Sequence, residues 1–324
     1  MSPWSDLSDA EQTVLDRVFW SPGQPREALA RGSALSKTRA NAAIASLLES
    51  GLVEETGQLA ATGGRRAETL RVSRALGVVL SASLGATGMG VAVLSPDLQV
   101  LAHHAEPADV HHGPARVLSR VRALMRELLQ QVGATPREVI AIGIGVPGPV
   151  DFDSAQLVNP PLMPEWDRFS IRDDLGQDYD APVFVDNDVN IMALAELWRL
   201  QRGLQNFLVI KVGTGIGCGI VCHGQVYRGA NGSAGDVGHI CVDPAGPRCH
   251  CGNLGCVEAM AAGPAIERLA EQAARAGDSP MLARALSTHG RITAHDVAQA
   301  SRAGDAAANA IVQRAGMLVG QMLA

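Results

Sequence analysis

No cysteine occurs before residue 218 or after residue 256 of this chain. All six (Cys218, Cys222, Cys241, Cys249, Cys251 and Cys256) share one short window. None can staple distant segments together, which excludes the disulfide framework of a small secreted domain. Long hydrophobic runs are missing too: no stretch approaches the roughly 20 apolar residues that span a bilayer. Met1 to Ala10 is polar and acidic, without the basic-then-apolar order of a secretory signal, so a cytoplasmic protein is expected. Nor is there an excess of positive charge. A net charge of −6 excludes a surface that coats nucleic acid everywhere, while leaving room for a local basic site. What is present is a globular composition, 47% apolar and 19% charged over 324 residues, enough for two or three domains.

The cysteine window carries the most specific pattern. His239 is followed by Cys249-x-Cys251-x4-Cys256 on a segment rich in Gly and Pro. One imidazole and three thiolates complete a tetrahedral zinc shell with no open position, as a structural site requires. Glycines let the backbone turn sharply enough to aim the sulfurs at one centre. His250 and Cys241 also lie within reach, and the bland alternative is a surface loop with reduced thiols.

The amino-terminal segment, residues 1–75, reads as three short helices and a hairpin. Ser8 or Asp9 caps the first helix, which carries Val14, Leu15, Val18 and Phe19 on one side. After the turn at Pro22-Gly23 and a second helix, Ser36 caps a third that runs to Ser50. Ala40, Ile44, Leu47 and Leu48 form its buried stripe. That leaves Lys37, Thr38, Arg39 and Asn41 at the helix start for solvent. A strand near Gly51–Glu55 leads to a tip at Gly63-Gly64-Arg65-Arg66. This order is that of a winged helix-turn-helix, whose third helix enters the major groove with its first residues toward base edges. Lys/Arg and Asp/Glu balance at nine each here. The cations nevertheless gather at Arg31, Lys37, Arg39, Arg65, Arg66, Arg71 and Arg74. Operator DNA is the expected partner, with Ser36, Lys37, Thr38, Arg39, Asn41, Arg65 and Arg66 facing it. A small helical domain that binds protein is the alternative.

The body, residues 76–324, repeats a strand, glycine turn and strand. The first unit turns at Ser83-Leu84-Gly85-Ala86-Thr87, the second at Gly213-Thr214-Gly215-Ile216-Gly217. Such turns let backbone amides approach phosphate, and Thr87 and Thr214 add hydroxyls, although most glycine hairpins are only hairpins. The repetition predicts two similar lobes facing a cleft. Val139–Val146 reads as a buried strand, and Val117–Val132 and Ile191–Leu200 as helices, so the class is mixed α/β. His103, His104, His111 and His112 show no ligand spacing and are expected on the surface.

Gly235-Asp236-x-Gly238-His239 followed by Cys249-x-Cys251-Gly252-x-x-Gly255-Cys256-x-Glu258 resembles the signature of the ROK family (repressors, open reading frames and sugar kinases). The resemblance runs from about residue 10 to the end. The Gly-Gly-Arg-Arg tip after Gly-Leu-Val is similar to the family's regulator branch. The resemblance implies an α/β protein in which the winged helix-turn-helix precedes a two-lobed, actin-like (ribonuclease H-like) ATPase-type sugar-binding domain with a zinc loop. It implies that Asn187, Asp188, Asp236, His239 and Glu258 form the sugar pocket, with Asp188 the general base only if the protein is a kinase. Carboxylates and amides suit that task because each sugar hydroxyl both donates and accepts. Family members usually carry Glu where this chain has Asp236, which shortens one contact. Gly145–Val150 and Asn159-Pro160-Pro161 resemble family loops near the same cleft.

Two departures argue against ATP and Mg²⁺. Family kinases resemble Asp-x-Gly-x-Thr at the first turn, where this chain has Ser83, and serine cannot supply the fixed charge that holds the metal. The first phosphate loop (Gly85, Thr87) is therefore degenerate, while Gly213, Thr214, Gly215 and Gly217 of the second are intact. Family members also usually continue beyond the helix at 306–324 with a strand and a glycine pair that contacts adenine. The expectation is an incomplete carboxyl-terminal part that exposes Ile311, Met317, Leu318 and Met322. A zinc-braced, sugar-responsive regulator, reading a palindromic operator as a homodimer or higher homo-oligomer, is the leading expectation. A sugar kinase with an appended DNA-binding domain is the alternative, and a regulator that has lost sugar binding a third.

Overall fold

The computed structural model describes residues 6–58, 68–160, 163–200 and 203–324. The head begins with α1 (Asp9–Trp20), capped by Ser8 in a reciprocal box with Glu11. Next come β1 (Gln24–Pro25), α2 (Arg26–Gly32), α3 (Lys37–Glu49), β2 (Val53–Gln58) and β3 (Glu68–Val72). The strands form an antiparallel sheet in the order β1-β3-β2. Val14 and Val18 of α1 and Ala43, Ile44 and Leu47 of α3 pack with Leu70 and Val72 into a core of their own. The strand expected at Gly51–Glu55 starts at Val53 and runs to Gln58. Arg65 and Arg66, with the rest of the expected tip, lie outside the described residues.

The first lobe contains β4 (Val78–Leu84), β5 (Gly88–Leu94), β6 (Val100–Pro107), α4 (Pro114–Val132) and β7 (Val139–Val146). It continues with the short strands β8 (Val150–Asp151) and β9 (Gln156–Leu157), α5 (Ile171–Leu175) and β10 (Val183–Asn187). Its five-stranded sheet has the order β10-β7-β4-β5-β6, parallel through β10, β7 and β4 and antiparallel beyond. The buried residues of α4, Val117, Leu118, Val121, Leu124, Met125, Leu128 and Leu129, recur at helical spacing and join the sheet's core. Gly133 ends that helix in the left-handed conformation.

The rest comprises α6 (Asp188–Arg199), β11 (Phe207–Val212), β12 (Ile216–Cys222), β13 (Gln225–Val226), α7 (Val257–Ala261), α8 (Gly263–Ala276), α9 (Pro280–His289), α10 (Ala294–Arg302) and α11 (Ala306–Leu323). The helix expected from Ile191 starts three residues earlier, because Asn187 caps it. The sheet β11-β12-β13 is antiparallel. Of the four residues expected to be exposed on the last helix, Met317 is, at 68%. Ile311 is buried with α8 and α10, and Leu318 and Met322 pack beside Ile216 and Val257. Among the described residues no helix is long and apolar enough to cross a membrane.

Two of the cations expected to serve the head are spent elsewhere. Arg71 pairs with Glu54 at 2.6 Å, and Arg74 pairs with buried Asp97, in the turn between β5 and β6, at 3.0 Å. Burial raises the Asp97 carboxyl, but hydrogen bonds from Arg74 and Ser95 outweigh it and hold the group below the usual carboxylate range. A depressed folded value contributes stability above the ordinary pKa of about 4, lost as pH falls through the folded value. The junction is therefore expected to loosen only in acid below about pH 4. Asp97→Asn should reproduce the loss at neutral pH, at about 1–3 kcal/mol, because the buried side chain at 97 gives up its charged hydrogen bonds from Arg74 and Ser95. Limited proteolysis near residues 73–78 against pH checks this; equal cleavage of wild type and Asp97→Asn would contradict it.

Candidate functional site

The parallel strands β4, β7 and β10 end on the same side of their sheet, where α/β folds collect ligands. There, the turn at Gly85–Thr87, the Pro147-Gly148-Pro149 loop and Asn187-Asp188 line a cavity of about 310 Å³. The second glycine turn, Gly213–Gly217, borders it from the other lobe, as do Asp236, His239 and Glu258. The structure thus gathers all five expected sugar residues and both glycine turns. Ser83 is exposed at the end of β4.

The acids and amides of this cluster divide their labour. Asn187 caps α6, accepting hydrogen bonds from the backbone of Val189 and Asn190 at 2.9 and 3.3 Å, and its amide donates to the Gly148 carbonyl. Asp186 is buried and accepts from Asn190 and from the Asn187 backbone. It also pairs with Arg228 at 2.7 Å, and that guanidinium lies 4.1 Å from the centre of the Phe152 ring. These contacts lock the loop geometry and leave Asp188 as the carboxylate turned to the cavity. Lys211, at the end of β11, pairs with it.

Glu258 is tied to the second glycine turn: its Oε2 accepts from the Ile216 backbone at 3.1 Å. Asp236 Oδ1 lies 3.6 Å from His239 Nε2. Burial pushes the Asp236 carboxyl above its ordinary range, with His239 opposing the shift.

Behind the cavity, the ligand atoms of His239, Cys249, Cys251 and Cys256 all lie within 4.8 Å of one another. Cys249 Sγ is 3.5 Å from His239 Nδ1, and Cys251 and Cys256 Sγ are 3.7 Å apart. Zinc–sulfur bonds of ~2.3 Å would set tetrahedral edges of ~3.8 Å. The donor set therefore fits a structural zinc with these four ligands. Burial, then the neighbouring thiols, pushes Cys256 up to about 12, and Cys249 is raised as well. Cys241 is exposed and pairs by backbone with Cys256, outside the group of four, and His250 is outside it too. The glycines serve this geometry. Gly255 has φ +67° and a Cβ there would fall 1.6 Å from the Asp243 carbonyl oxygen, so only glycine fits. The site shares His239 with the cavity: Nδ1 faces the sulfurs, and Nε2 faces Asp236.

In the head, Ser36 caps α3, and Ser36, Lys37, Thr38, Arg39 and Asn41 are all exposed. His103, His104, His111 and His112 are exposed as expected; His104 pairs with Glu106 at 2.9 Å, and His111 and His112 border a second cleft near Thr87. Lys211 and Arg228 are the site residues that sequence reasoning missed. Lys211 left a signal, as a lone charge in the apolar strand Phe-Leu-Val-Ile-Lys-Val next to a glycine turn. Arg228 left none, because its partner Asp186 stands far from it in sequence.

Comparison with known proteins agrees with this geometry. Residues 79–324 match the ROK family. A glucokinase of Halalkalibacterium halodurans is 33% identical over 243 residues, covering 74% of this chain and 73% of its own. The DNA-binding transcriptional dual regulator NagC of Escherichia coli K12 is 29% identical over 283 residues, 86% of this chain and 67% of its own. Among solved structures, a ROK family transcriptional regulator, a homolog of the E. coli MLC protein, superposes with a TM-score of 0.76 at 28% identity. It covers 97% of this chain and 80% of its own. With its actin-like sheet, paired glycine turns and Cys3His group, the chain belongs to the ROK family.

Proposed function

We propose that this protein is a sugar-responsive transcriptional regulator that binds operator DNA through residues 1–75 and a sugar or sugar derivative in residues 76–324. One observation carries the reading. The ROK regulator structure covers 97% of the chain, whereas the family match starts only at residue 79 and the glucokinase similarity spans 74%. The head is thus a feature shared with a regulator.

Three helices and an antiparallel sheet in this order support a winged helix-turn-helix, with α3 presenting Lys37, Thr38, Arg39 and Asn41 to a major groove. In the body, Asp188, Asp236 and the free hydrogen of the Asn187 amide supply acceptors and a donor for sugar hydroxyls. Zinc bound by His239, Cys249, Cys251 and Cys256 would fix the imidazole and hold the loop that carries Asp236. Two DNA-reading heads on a palindrome require a homodimer or a higher homo-oligomer.

Phosphoryl transfer is the second reading, favoured by the 33% identity to a glucokinase and by Asp188 beside an intact second glycine turn. Against it stand Ser83, which cannot hold Mg²⁺ as an Asp does, and Lys211, whose ammonium occupies the carboxylate that would act as base. ATP turnover with D-glucose and N-acetyl-D-glucosamine separates the two.

DNA binding is tested at the start of α3. Arg39→Ala is expected to weaken binding to the protein's own upstream region by about 1–3 kcal/mol and to relax sequence preference. Lys37→Ala should weaken all sequences alike and reduce the salt slope by about 1. Anisotropy titrations over a salt series read both. Unchanged affinity and slope in both variants would remove α3 from the interface.

A further inference from the structure

Helix α6 has its two ends in two different settings. Its first residues, Asp188 to Asn190, line the cavity, and Asp188 is paired with Lys211. Its last turn carries Trp198, whose ring centroid lies 4.6 Å from that of Phe19 and 5.5 Å from that of Trp20. Phe19 and Trp20 end the head's first helix. Trp20 also packs on the cluster of Ala193, Leu197 and Val221, which joins α6 to β12.

Helix and strand make one tight unit. A Cβ on Gly219 of β12 would fall 2.5 Å from the Val189 carbonyl oxygen and 2.6 Å from the Ala193 Cβ, so no slack separates them. The twelve residues of α6 span about 18 Å at 1.5 Å per residue. The head's other anchor is on the opposite lobe: Arg74 and Arg71 reach Asp97, in the β5–β6 turn of the five-stranded sheet. The head is thus pinned to both lobes, on the first at the end of the sheet remote from the Gly85–Thr87 turn that lines the cavity.

We propose that α6 is the strut that couples the cavity to the head, with Phe19, Trp20 and Trp198 as its docking joint. The inference rests on the regulator reading. A ligand hydroxyl that takes Asp188 from Lys211 changes what holds the first turn of α6, and any change of angle between the lobes moves the two head anchors apart or together. Both anchors cannot stay unchanged. Ligand and head placement therefore bias one equilibrium, which is the physical content of coupling between distant sites. Trp198 is half-buried, so its truncation leaves the lobe cores intact.

The test uses the full zinc-loaded chain as wild type, Trp198→Ala and Trp198→Phe. DNA affinity for the upstream region is measured by anisotropy with and without D-glucose or N-acetyl-D-glucosamine, and sugar binding by thermal shift. A wild-type affinity ratio of about 5-fold or more, falling to under about 2-fold in Trp198→Ala with its sugar shift kept and partly restored by Phe, is expected. A full ratio in Trp198→Ala would overturn the strut. If no sugar alters wild-type DNA binding, the regulator reading fails, and the strut is judged without DNA by hydrogen exchange. Lys211→Met, at the far end of α6, should then speed exchange in residues 9–20 several-fold; unchanged exchange there overturns the coupling.

Discussion

Cys256→Ser is expected to abolish zinc binding and to lower the melting temperature of the zinc-loaded protein by about 10 °C or more. Loss of a structural metal belongs to the few changes that cost over about 4 kcal/mol, and in a domain of this size each kcal/mol shifts melting by about 2–4 °C. The reason lies in what the loop supports. Cys256 is fully buried and begins α7, which packs with Ile216 of the second glycine turn and with α11. Its neighbour Glu258 holds the Ile216 amide, and His239 leads from the sulfurs to Asp236. Removing one sulfur therefore loosens a wall of the cavity as well as the loop. Elemental analysis for zinc and differential scanning calorimetry check both parts. One zinc per chain retained in Cys256→Ser, with unchanged melting, would contradict the assignment of ligands.

Asp188→Ala is expected to abolish sugar-induced thermal stabilisation while leaving the unliganded protein folded. Asp188 is the carboxylate of its cluster that is turned to the cavity, since Asp186 is taken by Arg228 and Asn190 and Asn187 by the helix cap. Charged hydrogen bonds are worth about 1.5–3 kcal/mol, so binding should weaken at least 10-fold. Lys211 loses its partner but is 36% exposed, so water can take it over. Calorimetric titration of whichever sugar shifts the wild type reads the loss. Undiminished affinity in Asp188→Ala would move the sugar elsewhere in the cleft.

Local patterns carried much of this protein in its sequence. Ser8 and Ser36 announced helix starts because capping needs a small side-chain acceptor at one position, and both are caps. Ala40, Ile44 and Leu47 of the expected α3 stripe are buried, as the helical period implies, with Ala43 in place of the partly buried Leu48, and β7 was legible as an unbroken apolar run. The Cys3His group was legible because ligand spacing is short-range chemistry. What escaped was long-range or competitive. The start of α6 was missed because Asn187, expected as a sugar ligand, spends its side-chain oxygen on the Val189 and Asn190 backbone and so caps the helix. Arg71 and Arg74 looked like part of a basic face until Glu54 and Asp97 claimed them. Phe19 and Trp198, far apart in sequence, each read as ordinary helix residues; only the fold brings their rings together.

The most direct test is the affinity of the protein for its own upstream DNA, by anisotropy at fixed salt, with and without a panel of D-glucose, D-xylose and N-acetyl-D-glucosamine. A sugar-responsive regulator predicts salt-dependent, sequence-specific binding that one of these sugars changes about 5-fold or more. Absence of specific binding, together with ATP-dependent phosphorylation of a sugar in the same panel, would contradict it and make the protein a kinase.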